Sequence, residues 1–439
     1  MTGMLGSVGN KVGANTRLLY EAMMAGSRWY GNWQIENSKF ILEKRKKLLF
    51  ILLIPLALFA GLELANAAEL PNIIGGKTAY APSFATVQMF SISLLIGLVA
   101  GLLTGCIGAG GGFILTPALM SVGVKGIMAV GTDMFHIFAK AIMGATIHRK
   151  MGNVNVALAA VFVIGSLSGA TVGGLVQRGI YEANPSLSDA FIGSVYVLIL
   201  GFIGFFTLYD FLVSRKKTVN NDSAPSSDLT NAAKKMQSIK APPYVHFDQD
   251  LVPGGRKMSV YPIVATGFIV GFIAAIMGIG GGFVFFPTFV YLLGVSTFTT
   301  VGTDIFQIIF TAGYASISQY AVYGFVFYTL AMGLLLGSLI GIQIGAMTTK
   351  IVPGIMIKGF FATTVLAGFV NRVFALPGSL SKAGYMELAP TTGKILDALS
   401  FYVFFIIVGV FAVWVIYSFL AGLGRIRAGE IDHSAGAGH

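Results

Sequence analysis

The sequence predicts an all-α polytopic membrane protein built from two inverted structural repeats, each containing a Gly-interrupted short helix. Three observations predict this fold class. Hydrophobic residues make up 55% of the 439 residues and charged residues only 11%, whereas a soluble domain has about a quarter charged residues. A Gly-rich motif occurs twice, at 108–117 and 278–287. Several apolar segments are long enough to cross the hydrocarbon core of a bilayer.

The Gly-rich motif is part of a longer internal duplication. Both copies have four glycines in five positions, then a phenylalanine and, four residues later, a proline. The shift between corresponding positions stays between 170 and 172 residues, so the two halves are homologous. The further recurring groups are Gly131-Thr132-Asp133 with Phe135, repeated as Gly302-Thr303-Asp304 with Phe306, and Gly165-Ser166, Gly169 and Gly173, repeated as Gly337-Ser338, Gly341 and Gly345.

Hydropathy and charge divide the chain into six segments. They are a cytoplasmic basic segment at 1–47, a leading segment at 48–68, transmembrane repeat 1 at 86–213, a cytoplasmic linker at 214–259, transmembrane repeat 2 at 260–423 and a cytoplasmic tail at 424–439. The leading segment is either a signal peptide, with Ala65-Asn66-Ala67 as its cleavage site, or a retained transmembrane helix. The retained helix is favoured because so long a polar front end is unusual for a removable signal.

Each repeat is predicted to contain five helices, the second of them short. The predicted helices are 86–107, 113–122, 127–147, 154–177 and 189–213 in repeat 1, then 260–278, 283–293, 299–321, 325–348 and 353–376 in repeat 2, with a last span at 397–423. Arg372 is interpreted as an anchor at the outer interface rather than a ligand.

The basic residues predict membrane orientation rather than nucleic-acid binding. The net charge is +11, but the basic runs, such as 44–47 and 215–217, flank apolar spans. Short cytoplasmic loops collect Lys and Arg. With 1–47 inside, alternating passes place 148–150, the linker and the C-terminus inside. The first repeat then begins at the outer face and the second at the inner face, which makes the repeats inverted.

The Gly-rich breaks are the first candidate site. Such backbone is not tolerated in a lipid-facing helix, but it can line a cavity inside a protein. The short helix after each break directs unpaired N–H groups and a positive dipole end toward the break, which favours an anion. Close helix packing is the alternative use of these glycines. The candidate substrate-binding residues are Gly108, Gly110, Gly111, Gly112, Thr132, Gly278, Gly280, Gly281, Gly282 and Thr303.

Asp133 and Asp304 are the second candidate, because a carboxyl inside an apolar segment is costly and is a functional hypothesis by default. They are predicted to couple transport to a proton or cation, or to cap the starts of their helices. His136 lies one helical turn after Asp133, and Gln307 takes the same position after Asp304. These four residues form the predicted coupling group. Lys140 extends the stripe and is interpreted as a snorkelling side chain.

At these motifs the sequence resembles the sulfite exporter TauE/SafE family. The matching residues are the paired Gly-rich breaks with their Phe and Pro and the paired Gly-Thr turns, over about 86–213 and 260–423. The resemblance implies an all-helical inverted-repeat transporter of sulfite, sulfonate-derived or other small organic anions. The family often has a small uncharged polar residue after Gly-Thr, whereas both copies here have Asp.

These observations predict a secondary transporter of a small anion in a cell inner membrane, with the lipid bilayer and a small anionic substrate as its partners. The alternatives are an anion channel and a membrane scaffold that docks a partner through the linker. We expect no enzymatic activity, no cofactor, no metal site and no nucleic-acid partner. The single cysteine, Cys106, cannot form an internal disulfide. The substrate, the direction of transport, the coupling ion and any homo-oligomer are left open.

Overall fold

The computed structural model describes residues 87–107, 111–150, 154–219, 230–249, 255–348, 352 and 354–428. The predictions for the basic N-terminal segment, the leading segment, Gly108 and Gly110 lie outside these residues, as does most of the tail. The helices of repeat 1 are α1 (Val87–Ile107), α2 (Gly112–Ser121), α3 (Gly126–Lys150), α4 (Val156–Ala183) and α5 (Pro185–Val219).

Repeat 2 has the same order of helices. They are α7 (Val260–Met277), α8 (Gly282–Leu293, with wider turns from Thr288), α9 (Thr297–Tyr314, continued by a wider helix at Ala315–Tyr320 and a tight turn at Ala321–Tyr323), α10 (Tyr328–Thr348) and α11 (Gly354–Lys382), followed by α12 (Pro390–Ala428). Between the repeats lie α6 (Asn231–Gln237) and a hairpin of β1 (Tyr244–Phe247) and β2 (Arg256–Ser259).

Seven of the described helices are long and apolar enough to cross a membrane: α1, α4, α5, α7, α10, α11 and α12. Helices α2 and α8 are apolar but shorter. Helices α3 and α9, which carry Asp133 and Asp304, are not among the seven. The structure therefore confirms an all-α polytopic membrane protein whose two acidic helices lie among apolar ones.

Helices of one repeat pack closely against helices of the other, and glycines make these close contacts possible. Helix α1 packs parallel to α10, and α7 packs parallel to α4. A Cβ atom added to Gly97 or Gly101 would lie 2.3 or 2.5 Å from the carbonyl oxygen of Leu334 or Ser338. Backbones this close require small residues at the contact.

The glycines that recur between the repeats make the same kind of contact. A Cβ atom on Gly169 would lie 2.0 Å from the Phe268 carbonyl oxygen, and one on Gly341 would lie 2.1 Å from that of Leu98. The recurring Gly-Ser and Gly positions of α4 and α10 are therefore helix-packing positions.

Equivalent helices begin at opposite ends of the molecule. At one end, here named the linker end, the Asn155 N–H before α4 donates to Thr303 Oγ1 of α9 at 3.1 Å. At the other end, the Phe327 N–H before α10 donates to Thr132 Oγ1 of α3 at 2.9 Å. These contacts join equivalent positions in the two repeats. The repeats are therefore inverted with respect to each other.

Each short helix returns to the end at which the preceding helix began. The α8 end lies at the linker end, where the Leu293 and Gly294 carbonyls accept hydrogen bonds from Gln237 (2.8 Å) and Arg256 (2.6 Å). The α2 end lies at the opposite end, where Ser121 accepts a hydrogen bond from Asn371 (3.0 Å). Hairpins α1–α2 and α7–α8 therefore enter the molecule from opposite ends.

Arg372 corrects one interpretation of the sequence. It is not an interface anchor, because it is only 3% exposed and donates to the Pro117 carbonyl at 3.2 Å and to Ser121 Oγ at 3.0 Å. The C-terminal end of a helix favours a nearby cation. Arg372 lies at this end of α2, as Arg256 lies at the end of α8.

The segment between the repeats is folded where the structure describes it. Val245, Phe247 and Met258 of the hairpin are buried in one cluster with Phe289 and Leu293 of α8. Asp248 accepts hydrogen bonds from the Ser296 N–H at 2.9 Å and from Thr299 Oγ1 at 2.5 Å, so it caps the start of α9. The linker thus holds the end of one short helix and the start of the acidic helix that follows.

Candidate functional site

The Gly-rich breaks have backbone conformations that favour glycine. Gly111, which precedes α2, has φ 70°, and Gly281, which precedes α8, has φ 95°. Gly278 and Gly280 in the second break also have positive φ, at 78° and 64°. L-residues with a side chain rarely adopt these angles. The chain therefore leaves one helix and starts another inside the molecule in both repeats.

The two breaks lie against each other. The rings of Phe113 and Phe283, each the residue directly after a break, stack with centroids 4.7 Å apart. A Cβ atom on Gly112 would lie 3.1 Å from Ile279 Cα, and Ile137 of α3 lies against both Gly112 and Gly280. The structure thus brings together the described glycines of the two predicted half-sites.

The starts of α2 and α8 carry no side-chain cap. Neither Gly111 nor Gly281 provides a capping side chain. The first N–H groups of a helix have no acceptor within that helix, and they carry the positive end of its dipole. Two such ends meet at the Phe113–Phe283 contact, so the centre of the molecule has the backbone donors that an anion requires.

The two carboxyls have different surroundings. Asp304 lies at the start of α8, since a Cβ atom on Gly282 would be 3.0 Å from Asp304 Oδ2. Asp133 turns instead to the second turn of α2, where Thr116 Oγ1 donates to its Oδ2 at 3.1 Å. The position equivalent to Thr116 in repeat 2 is Phe286, which offers no such donor.

Neither carboxyl caps the start of its own helix, so that alternative is wrong. Both lie seven residues after the first residue of α3 or α9. The start of α3 is held instead by Asp189, whose Oδ1 accepts from the Gly126 N–H at 2.7 Å. The start of α9 is capped by Ser296, which accepts from the Thr299 N–H at 3.3 Å, together with Asp248.

A chain of polar side chains leads from each carboxyl to the other repeat. In repeat 1, His136 Nδ1 lies 3.6 Å from Asp133 Oδ1, and its Nε2 lies 2.9 Å from Ser338 Oγ on α10. In repeat 2, Gln307 Nε2 donates to Asp304 Oδ1 at 3.0 Å. The chain continues through Thr311 (2.8 Å from Gln307 Oε1) to Ser166 on α4 (2.7 Å from Thr311).

Lys140 extends to the first break rather than to an interface. Its Nζ donates to Thr104 Oγ1 of α1 at 3.4 Å. That hydroxyl lies beside Gly111, since a Cβ atom on Gly111 would be 2.6 Å from it. The structure therefore places a cation at the start of α2, whereas a carboxyl lies at the start of α8.

The described hydrogen bonds of Thr132 and Thr303 lie away from the breaks. Each hydroxyl accepts a backbone N–H at a loop that precedes α10 or α4. Their role as anion ligands stays a prediction. Among the described residues, no group of three or more His, Cys, Asp or Glu is placed to hold a metal ion.

Sequence reasoning assigned no role to three buried polar residues near the site. Ser166 and Ser338 recur in the two halves, and that recurrence is the signal that points to them. Tyr196 of α5 donates to the Met277 carbonyl at 2.5 Å, directly before the second break. No sequence signal marks Tyr196, because its partner lies in the other repeat.

Comparisons with known proteins agree with the fold. A family model described as Sulfite exporter TauE/SafE matches residues 93–372. The chain is similar to YjnA of Bacillus subtilis, described as a probable membrane transporter protein, with 27% identity over 257 residues, 58% of this chain and 87% of that protein. YunE of the same organism, described in the same words, is 25% identical over 281 residues, 61% of this chain and 93% of that protein.

A third relative comes from Xylella fastidiosa and is described as a probable membrane transporter protein. It is 24% identical over 297 residues, 66% of this chain and 92% of that protein. No solved structure matches the chain.

Proposed function

Because the chain belongs to the sulfite exporter TauE/SafE family of membrane transporters, we propose that it is a secondary transporter that moves a small anion across the cell inner membrane. The proposed substrates are sulfite, a sulfonate or another organosulfur or carboxylate anion. The observation that carries this proposal is the meeting of the two uncapped helix starts at the Phe113–Phe283 contact.

The charge around this centre favours an anion at the first break. Lys140 reaches Thr104 beside Gly111, so its cation adds to the positive end of the α2 dipole. The second break differs, because the Asp304 carboxyl lies at Gly282 and offsets the positive end of α8. The substrate anion therefore binds at the first break, with the start of α2 as its main source of backbone donors.

Alternating access follows from the inverted hairpins. Hairpin α1–α2 opens to one end of the molecule, and α7–α8 opens to the other. Inverted repeats of this kind expose a central site to each side in turn when one bundle rocks against the other. The helix pairs α1–α10 and α7–α4, which pack through glycines, are the units that move as rigid bodies.

The orientation belongs to the same proposal. The basic runs support an orientation with the linker end and both termini at the cytoplasm. The membrane repeats at 86–213 and 260–423 then transport the substrate, and the cytoplasmic linker at 214–259 connects them. Coupling to a proton or cation gradient through the acidic helices completes the transport cycle.

A panel of small anions added to the purified full-length protein tests the proposal. A ligand that binds the folded state raises the unfolding temperature by mass action. We expect sulfite, isethionate, sulfoacetate or acetate to raise it, and chloride at equal ionic strength to have less effect. No rise with any of the four would contradict an anion site. A rise of equal size in Lys140→Gln would contradict its position at the first break.

A further inference from the structure

Two atoms of the polar chain in repeat 1 have no hydrogen-bond partner among the described residues. They are Asp133 Oδ1 and His136 Nδ1, and both side chains are 0% exposed. The two atoms face each other at 3.6 Å. Buried polar atoms are nearly always hydrogen-bonded, because burying one without a partner is costly. One atom belongs to a carboxyl and the other to an imidazole, so a proton held between them would give both a partner.

The tautomer of His136 depends on where the Ser338 hydroxyl donates. Ser338 Oγ contacts the Leu335 carbonyl at 3.1 Å and His136 Nε2 at 2.9 Å. When Ser338 donates to Leu335, His136 Nε2 donates to Ser338 Oγ, and Nδ1 has a lone pair that faces the lone pairs of Asp133 Oδ1. In that tautomer, one proton held between Nδ1 and Oδ1 satisfies both atoms.

We propose that Asp133 and His136 form a site that shares one proton between them, and that repeat 2, where Gln307 takes the place of His136, has no second group to share it. The proton comes from water on one side of the membrane and is held between Asp133 Oδ1 and His136 Nδ1. It leaves as a proton to the other side. The site itself is independent of the proposed function, whereas its use in transport rests on it.

In repeat 2 the polar chain is continuous. The Gln307 amide donates to Asp304, Thr311 donates to the Gln307 side-chain oxygen, and the Thr311 and Ser166 hydroxyls lie 2.7 Å apart. A side-chain amide neither gains nor loses a proton near neutral pH, so Gln307 donates to Asp304 whatever the pH. Gln307 therefore makes permanently the contact that His136 makes only when a proton is present.

Among the side chains that the structure describes, two titratable groups face the dyad. Lys140, on the same helix, attracts the Asp133 carboxylate and repels a protonated His136. Tyr196 of α5 is close enough to sense the Asp133 charge, but its hydroxyl hydrogen is already donated to the Met277 carbonyl. The Lys140 cation therefore competes with the proton for Asp133, which keeps the proton exchangeable.

Loading the site has two consequences for transport. The 3.6 Å gap closes to a hydrogen bond of about 2.7–3.2 Å, and His136 transmits the shift to α10 through Ser338. Neutralising Asp133 also removes a negative charge that attracts Lys140 at the first break. A substrate anion bound there then replaces that charge. Because coupling between two sites is reciprocal, a bound anion favours the bound proton to the same degree.

Histidine spectra of the full-length protein test the site without any substrate. The chain has five histidines, so ¹⁵N-histidine labelling gives few signals, and His136 is assigned as the signal missing from His136→Gln. This variant places in repeat 1 the residue that repeat 2 has. We expect the His136 signal to change with pH in the wild type and in Asp304→Asn. In Asp133→Asn we expect it to remain that of a neutral ring.

Two results overturn the proposal: a His136 signal that is independent of pH in the wild type, or loss of its titration in Asp304→Asn. Neither of these results depends on whether the Asp133→Asn variant folds. Counterflow of isethionate, whose charge is constant near neutral pH, separates the two proposals. Titration without counterflow of any panel anion supports the proton site and contradicts the transport function. Counterflow with a His136 signal that does not change with pH supports the transport function and contradicts the proton site.

Discussion

Phe113 and Phe283 stack with their ring centroids 4.7 Å apart, and this contact joins the two Gly-rich breaks of the molecule. Each ring directly follows the glycines from which a short helix starts. Because the halves are inverted, the contact lies where their equivalent elements meet. The proposed anion site lies at the start of α2, and Asp133 of the proton site contacts the second turn of the same helix.

The first prediction concerns the backbone of the breaks. Gly111→Leu and Gly281→Leu should each lower counterflow by about tenfold or more, equivalent to at least about 1.4 kcal/mol. At Gly111 a Cβ atom would lie 2.8 Å from the Ala100 carbonyl oxygen, and at Gly281 the φ of 95° disfavours any side chain. Gly179→Leu is the matched control, because its surroundings are open. Full counterflow in both break variants would contradict a site at the breaks.

The second prediction concerns the cation at the first break. Lys140→Gln should weaken anion binding by about 10–150-fold, because a hydrogen bond to a charged group contributes about 1.5–3 kcal/mol. The measurement is the anion dependence of the unfolding temperature. Arg256→Gln is the control, since this partly buried cation lies at the end of α8 instead. Equal affinities in the wild type and Lys140→Gln would show that the substrate does not contact the cation.

The third prediction concerns the two carboxyls. Asp133→Asn should abolish uptake driven by a pH gradient and keep exchange at equal concentrations, because it removes the exchanged proton. Asp304→Asn should keep both activities, since Gln307 is a fixed donor. Transport in proteoliposomes measures both. Equal loss of driven uptake in the two variants would show that both repeats take part in coupling.

The fourth prediction concerns helix packing. Gly101→Ala should lower the free energy of unfolding by about 1–3 kcal/mol, because the added Cβ atom would lie 2.5 Å from the Ser338 carbonyl oxygen. Gly409→Ala, in open surroundings on α12, should not lower it. Thermal unfolding in detergent makes the comparison. Unchanged stability in Gly101→Ala would contradict the close α1–α10 contact.

The fifth prediction concerns orientation. In a Cys106→Ala background, an impermeant thiol reagent should label Tyr385→Cys in intact cells. It should label Lys240→Cys only after the membrane is breached. Both positions are exposed, and they lie at opposite ends of the molecule. Labelling of Lys240→Cys in intact cells would reverse the proposed orientation.

The sequence predicts the parts of this structure that rest on local pattern. The duplication locates both breaks, because only a repeated Gly-rich motif interrupts two otherwise apolar helices at equivalent positions. The spacing of Asp133 and His136 places them one turn apart on α3, as observed. The charge pattern predicts inverted repeats, and the contacts of Asn155 and Phe327 confirm them.

The parts that depend on distant contacts could not be predicted in this way. Arg372 is buried against acceptors on α2 that lie more than 250 positions away in the sequence. No local pattern marks such a contact. Lys140 has the pattern of a snorkelling residue, and only the position of α1 shows that it reaches Thr104. The linker is polar in composition, so its packing on α8 through Phe247 gives no sequence signal.

Accumulation of an anion against its gradient tests the central claim most directly. Purified protein in proteoliposomes is given equal isethionate concentrations on both sides and then a pH gradient across the membrane. The account predicts that isethionate rises on one side above its concentration on the other, and that Asp133→Asn abolishes this rise while exchange continues. Isethionate that equilibrates in both proteins without ever accumulating would indicate a channel and would contradict coupled transport.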